Sequence, residues 1–376
     1  MKFILVAGAR PNFMKIAPLV RAINRHNENL VHADMRIDFL LVHTGQHYDI
    51  KMSEVFFKDL GLPKPDINLE VGSASHAVQT AKIMTGFEGV CVAEKPDWVV
   101  VVGDVNSTMA CTLVAAKLGI RVAHVEAGLR SFDRSMPEEV NRLVTDALAD
   151  LLFTPSPDAD ENLLREGIPR IKIRRVGNVM IDTLIDNLDK ARELRAMDRF
   201  VLKEHNFVFV TLHRPSNVDH EQSLASIMET LAALSERMDV IFPIHPRTLK
   251  QIVSFGILEK VKLSPRLMIT DPMNYLDTIC LVDKARFVIT DSGGLQEETT
   301  YLKIPCLTVR PNTERPVTIS EGTNKLTSIN ELSTDIENIM NGFSRRSQIP
   351  ELWDGNAGQR IINDIIKFTS ENSIST

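Results

Sequence analysis

Phe3-Ile4-Leu5-Val6-Ala7-Gly8-Ala9-Arg10-Pro11-Asn12-Phe13-Met14-Lys15 changes character halfway, from an uninterrupted apolar run to a turn carrying two cations. A run apolar on both faces suits a parallel strand covered by helices, not a half-exposed hairpin. In the turn that follows, Gly8 permits close backbone approach, and Arg10 and Lys15 can face an anion such as a phosphate at a helix N-terminus. The stretch is neither G-x-G-x-x-G nor a Walker loop, so a plain tight turn with solvated Arg10 and Lys15 reads equally well from these residues alone.

Similar short runs recur at 39–42, 98–102, 122–125 and 151–153, with helix-length segments between them. The rhythm restarts at 207–212, 240–244, 267–269, 287–290 and 306–309, again separated by amphipathic stretches such as 224–234. This predicts an α/β protein of two Rossmann-like, doubly wound domains facing a central cleft. The junction is expected near Asn178, ahead of a polar, helix-prone segment over 182–203 that lacks Pro and Gly. Domain one then spans 1–178 and domain two 179–354. A C-terminal helix, within about 355–376, carries Ile361, Ile362, Ile365 and Ile366 on one face and is expected to complete the first domain.

At 376 residues, with 44% apolar and 24% charged residues, the chain can fill two ordinary cores. A formal charge of −6 leaves no excess of Lys and Arg to cover a polyphosphate backbone, so nucleic acid is not an expected partner. The four cysteines, Cys91, Cys111, Cys280 and Cys306, are widely spaced and lack a C-x-x-C pair, as reduced core thiols do. The N-terminal apolar run is too short for a signal-peptide core or a membrane span, so a cytoplasmic protein without membrane association is expected.

Thr290-Asp291-Ser292-Gly293-Gly294-Leu295-Gln296-Glu297-Glu298 also follows a strand and opens a helix. Ser292, Gly293 and Gly294 can offer backbone N–H groups and a hydroxyl to phosphate oxygens. A carboxylate just beyond would repel phosphate but can accept ribose hydroxyls, which nominates Glu298, while Arg315 could neutralise a diphosphate. An N-cap flanked by surface charges is the alternative. In the first half, Asp104 follows the 98–102 run, Glu126 follows 122–125, and Pro137-Glu138-Glu139 opens a helix. Groups at carboxyl ends of parallel strands converge on the crevice, and carboxylates gathered there raise one another's pKa, as acid and base work near neutral pH requires. Taken singly, Asp104 could instead cap a helix and Glu138 could be a first-turn acid. His213, after the first strand of the second half, adds an imidazole at the topologically equivalent position. No His/Cys/Asp cluster has metal-ligand spacing and no nucleophile signature is present, so neither a metal nor covalent chemistry is expected.

The strings GARPNFMKIAPL, HTGQHYD, VVGDVNST, HVEAGLRS, MPEEVNR, TLHR, IHPRT, DSGGLQEE and TERPV occur in that order. In this the chain resembles the non-hydrolysing UDP-N-acetylglucosamine 2-epimerases over essentially its full length. The resemblance implies a GT-B arrangement, a UDP site mainly on the second domain, a homodimer, and interconversion of UDP-N-acetylglucosamine and UDP-N-acetylmannosamine for surface polysaccharide synthesis. It further implies anti-elimination of UDP to a 2-acetamidoglucal, followed by re-addition, chemistry that needs carboxylates and no cofactor. Asp104, Glu126, Glu138 and His213 match the family's catalytic positions. Arg10, Lys15, Arg142, His213, Ser292, Gly293, Gly294, Glu298 and Arg315 match substrate-binding ones, and Gln46, His47 and His245 match positions associated with an activating second nucleotide sugar.

Three departures accompany the resemblance. Ala9 and Asn12 stand in a turn that is commonly GTRPE, the link from Glu126 to Glu138 is a little shorter than usual, and Pro215-Ser216-Asn217 replaces an Arg/Glu-Glu-Asn continuation. The last change bears on activation and on the sugar pocket, leaving open a 2-epimerase of a 2,3-diacetamido uronic acid nucleotide. Other readings are a GT-B glycosyltransferase, which needs an acceptor, a hydrolysing epimerase, whose first turn this chain does not resemble, and a catalytically dead sensor, which the intact acid and base set disfavours.

Overall fold

Each apolar run named above forms a strand, 207–212 and 240–244 running one residue past its end, because residues buried on both faces suit a covered sheet. The computed structural model describes residues 1–30, 35–46, 57, 60–257, 264, 266–343 and 347–373. Strands are β1 (Lys2–Ala7), β2 (Asp38–His43), β3 (Ile67–Asn68), β4 (Trp98–Val102), β5 (Arg121–Val125), β6 (Leu151–Thr154), β7 (Ile173–Arg175), β8 (Phe207–Thr211), β9 (Asp239–Pro243), β10 (Leu267–Thr270), β11 (Phe287–Thr290), β12 (Cys306–Val309) and β13 (Asn324–Thr327). They make two parallel sheets, ordered β3-β2-β1-β4-β5-β6-β7 and β10-β9-β8-β11-β12-β13. Both are Rossmann-like.

Of the edge strands of the two described sheets, β10 is among those apolar runs and β3, β7 and β13 are not. An edge strand is paired on one side only and needs no long apolar run, and Asn324-Lys325-Leu326-Thr327 is polar enough to pass for a loop.

The chain folds as two units, one of Met1–Ile185 with Glu351–Thr376 and a second of Asp186–Pro350. The division falls within the helix Val179–Glu193, whose first turns pack on the first unit: Ile181 and Leu184 are fully buried, and Thr183 Oγ1 donates to the Met14 carbonyl at 2.6 Å. Helix does not continue through to residue 203. Arg195 and Val201 take left-handed backbone on either side of a short 3₁₀ turn, Ala196–Phe200, and ion pairs Arg192–Asp283 and Arg199–Asp277 tie this segment to the rest of the second unit.

The C-terminal helix, Ala357–Ser373, lies against the helix Arg10–Glu28 so closely that a Cβ at Gly358 would come within 2.8 Å of the Pro18 carbonyl. Ile361, Ile362 and Ile365 are buried there, Asp182 accepts from the N–H groups of Ala357 and Gly358, and Trp98 Nε1 donates to Thr369. All four cysteines are buried and free of disulfides. Among the described residues no helix is long and apolar enough to cross a membrane.

In each sheet the strand order reverses once, between β1 and β4 and between β8 and β11. Ligand sites of doubly wound sheets open outside the strand carboxyl ends at such points. Gly8 and Gly103-Asp104 follow the first pair of strands; His213 and Asp291-Ser292 follow the second.

Candidate active site

In the first unit the turn after β1 is organised by Asn12. Its side-chain oxygen accepts from the N–H groups of Gly8 and Ala9 at 3.0 and 2.8 Å, and its amide donates to the Val102 carbonyl at 2.9 Å. The departure at this position therefore serves the backbone of the turn and joins β1 to β4. Gly8 leaves room for Ser107, whose hydroxyl bonds Thr44 and Gln46. Arg10, in the first turn of the helix, is exposed.

Lys15 is buried against Glu126, with which it forms an ion pair. Its charge is thus directed at a carboxylate of its own unit. Gly103, at φ +68°, makes room for the pair: a Cβ there would lie 2.7 Å from Lys15 Nζ and 3.5 Å from Glu126 Oε2. Glu126 has a left-handed φ of +71°, a conformation that costs about 1 kcal/mol or more for a residue with a side chain and recurs at functional sites.

Asp104 does not cap the following helix. Its Oδ2 accepts from Arg142 Nε at 3.0 Å and lies 2.9 Å from Nη2, while Arg142 Nη1 pairs with Glu139. Of the two glutamates that open the helix Pro137–Leu148, Glu138 is exposed and Glu139 is buried. Glu139 accepts from Ser131 N, Ser131 Oγ and Phe132 N at 2.9, 3.1 and 3.0 Å, holding the loop after β5. Beneath this cluster, His124 bridges Asp146 at 2.6 Å and the Gly103 carbonyl at 2.8 Å. Burial raises the Asp146 carboxyl, but His124 and Arg130 outweigh it and hold the group below the usual carboxylate range.

In the second unit His213 is partly exposed, and its Nδ1 lies 3.0 Å from Asp291 Oδ1. Asp291 also accepts from the backbone N–H of His213 and of Arg214 and from the Asn217 amide. Burial works to raise the Asp291 carboxyl, yet these donors keep it lowered. The short helix opened by Pro215 brings Asn217, the one position of 215–217 that matches the usual continuation, to this carboxylate and to the Val309 carbonyl. The ring of His245 lies 5.5 Å from that of His213, and burial, followed by that neighbour, lowers its pKa.

Ser292 is the N-cap residue of the helix Gly293–Leu302, with its hydroxyl making no cap bond. Arg315 is buried over that helix start, spanning Glu297 at 2.9 Å and Glu314, and a Cβ on Gly293 would sit 2.8 Å from Arg315 Nη1. Glu298 is buried within the helix. Burial pushes its carboxyl up to about 8, against the pull of the Tyr275 hydroxyl beside it and with Glu297 adding to the rise. Of the three residues matched to an activator site, Gln46 is buried in the first unit with Ser107, His245 caps the helix Pro246–Ser254, and His47 lies outside the described residues.

Asp291, Glu139, His124 and Asp146 hold these places without a sequence signal that assigns them there. Asp291 lies within DSGGLQEE and Glu139 within MPEEVNR, but only contacts between distant segments reveal what each does. Among the described residues no three His, Cys, Asp or Glu side chains are placed to hold a metal.

Two Rossmann-like units whose switch points gather paired carboxylates in one and a His–Asp pair with a serine-glycine helix start in the other define a nucleotide-sugar enzyme of the GT-B type. The family model for UDP-N-acetylglucosamine 2-epimerase matches residues 29–366, and the chain belongs to this family of isomerases. It is 42% identical over 369 residues to a UDP-N-acetylglucosamine 2-epimerase of Methanocaldococcus jannaschii, covering 96% of this chain and 98% of the relative. The crystal structure of the M. jannaschii enzyme with UDP-GlcNAc and UDP superposes with a TM-score of 0.87 at 41% identity, covering 98% of this chain and all of that one. A UDP-2,3-diacetamido-2,3-dideoxy-D-glucuronate 2-epimerase of Pseudomonas aeruginosa is 39% identical over 329 residues, 87% of this chain and 88% of the relative.

Proposed function

We propose that the chain reversibly converts UDP-N-acetylglucosamine to UDP-N-acetylmannosamine by eliminating UDP to a 2-acetamidoglucal and re-adding it. The observation that carries this reading is the cluster at the first switch point, where Glu126 is paired with Lys15 and Asp104 with Arg142. The C2 proton is weakly acidic and leaves only as the C1–O bond to UDP weakens, so a base and a stabilised diphosphate are both needed. Asp104, Glu126 and the exposed Glu138 are the candidate acid and base groups. Lys15 and Arg142 orient the first two.

On the second unit, His213 set by Asp291, the Ser292-Gly293-Gly294 helix start and Arg315 are assigned to the diphosphate. Arg10 of the first unit is likewise assigned to substrate binding. Glu298, with a carboxyl near 8, can both donate to and accept from ribose hydroxyls. Gln46, His47 and His245 are assigned to an activating second nucleotide sugar. We assign the enzyme to the cytoplasm, as a homodimer serving surface polysaccharide synthesis.

A second reading, 2-epimerisation of a 2,3-diacetamido uronic acid nucleotide, is favoured by the similarity to the Pseudomonas aeruginosa enzyme. Proton NMR in deuterated water separates the two. Conversion of UDP-N-acetylglucosamine with deuterium appearing at C2 supports the first; an unchanged spectrum with turnover of the uronic acid nucleotide supports the second.

A further inference from the structure

Phe132 combines two unfavourable features. Its φ is +57°, left-handed backbone that a residue with a side chain rarely adopts, and its side chain is 75% exposed. Neither feature helps the fold, since an exposed aromatic ring buries little apolar surface and the backbone would relax more easily with glycine. The conformation is nevertheless held from below by Glu139, buried at 2% exposure, which accepts from Phe132 N at 3.0 Å and from Ser131 N at 2.9 Å. The same carboxylate pairs with Arg142, whose other nitrogens grip Asp104. One buried group thus holds the loop that carries the ring and, through Arg142, reaches Asp104. Strained residues persist where surrounding structure over-determines them, and such positions cluster at ligand sites.

We propose that Phe132 is a specificity-determining residue that packs its ring on the apolar C–H face of the substrate's acetamido sugar. A pyranose ring presents axial C–H bonds on one face, which an aromatic ring covers while the hydroxyls and the acetamido group stay available to polar groups. The inference rests on the functional reading above, which sets the sugar at Asp104 and Glu126.

Calorimetric titration of the full-length protein with UDP-N-acetylglucosamine and with UDP, in the wild type, Phe132→Gly and Phe132→Tyr, tests it. Phe132→Gly should weaken UDP-N-acetylglucosamine binding about tenfold, the loss of roughly one aromatic contact, and leave UDP binding unchanged. Phe132→Tyr should restore it. Because glycine relieves the left-handed backbone, Tm should hold or rise, which separates this loss from misfolding. Equal sugar-nucleotide affinity in wild type and Phe132→Gly would overturn the proposal, as would a variant that becomes monomeric on gel filtration with unchanged affinity, since the ring would then serve a second copy of the chain. A wild type that binds UDP-N-acetylglucosamine without exchanging C2–H for deuterium would sink the epimerase reading alone, because the binding difference still reports on Phe132. A wild type that binds no nucleotide sugar would sink both.

Discussion

Asp291 receives both the ring and the backbone N–H of His213: Oδ1 lies 3.0 Å from Nδ1 and 3.1 Å from the amide nitrogen. The imidazole is therefore oriented through its Nδ1 side. A carboxylate in this position fixes the orientation of the ring and selects its tautomer.

Asp291→Asn should accordingly lower kcat for C2 exchange by about 100-fold or more, in the range lost when a group that stabilises the departing diphosphate is misaligned. Circular dichroism should retain the α/β signature. A variant with near wild-type kcat would show that His213 needs no orientation by this residue.

Arg142→Lys replaces a planar guanidinium that grips Asp104 and Glu139 with a point charge that can satisfy one of them. Steady-state kinetics should show kcat/KM reduced about 10- to 100-fold, because the positions of Asp104 and of the loop after β5 both depend on it. Equal loss of Tm and activity would instead mark the arginine as structural only.

Gly103→Ala introduces a Cβ 2.7 Å from Lys15 Nζ at a backbone φ of +68°. Both the contact and the left-handed backbone oppose it, so chemical denaturation should report a loss of about 1–3 kcal/mol. C2 exchange should fall further than stability alone explains, since Lys15 would be pushed off Glu126.

Glu298 makes the ligand-free protein sensitive to base. Burial raises its folded carboxyl from 4.5 to about 8, so between these values the folded state binds more protons than the unfolded one and stability declines as pH rises. Below about 4.5 both states are protonated and the group contributes no slope. Thermal melts from about pH 5 to about pH 8 should show a decline for the wild type that is smaller in Glu298→Gln, the variant being relatively more stable at the alkaline end. Identical slopes would mean that the carboxyl titrates normally.

How much could be read from residues alone divides by range. The strands with two neighbours stand out as mostly apolar runs, because burial on both faces favours apolar side chains. The two-residue β3 and the polar β13 sit at edges with one neighbour and carried no such mark. Asp104, Glu126, His213 and Ser292 are legible in the sequence because each lies within two residues of the end of a central strand, and position along a parallel strand fixes the end of the sheet a residue reaches. Glu138 and Glu139 could not be ranked this way: adjacent positions on a helix point apart, and which one turns inward depends on what the helix packs against.

Local pattern by itself therefore determined the two Rossmann-like sheets, the loops that carry the polar groups, and the family the motifs resemble. Tertiary structure alone decided which charge meets which. Lys15 reaches Glu126 across 111 residues, and His213 meets Asp291 across 78. Hydropathy periods act over a few residues, whereas an ion pair depends on strand order and register, which bring distant loops together only once the sheets have formed.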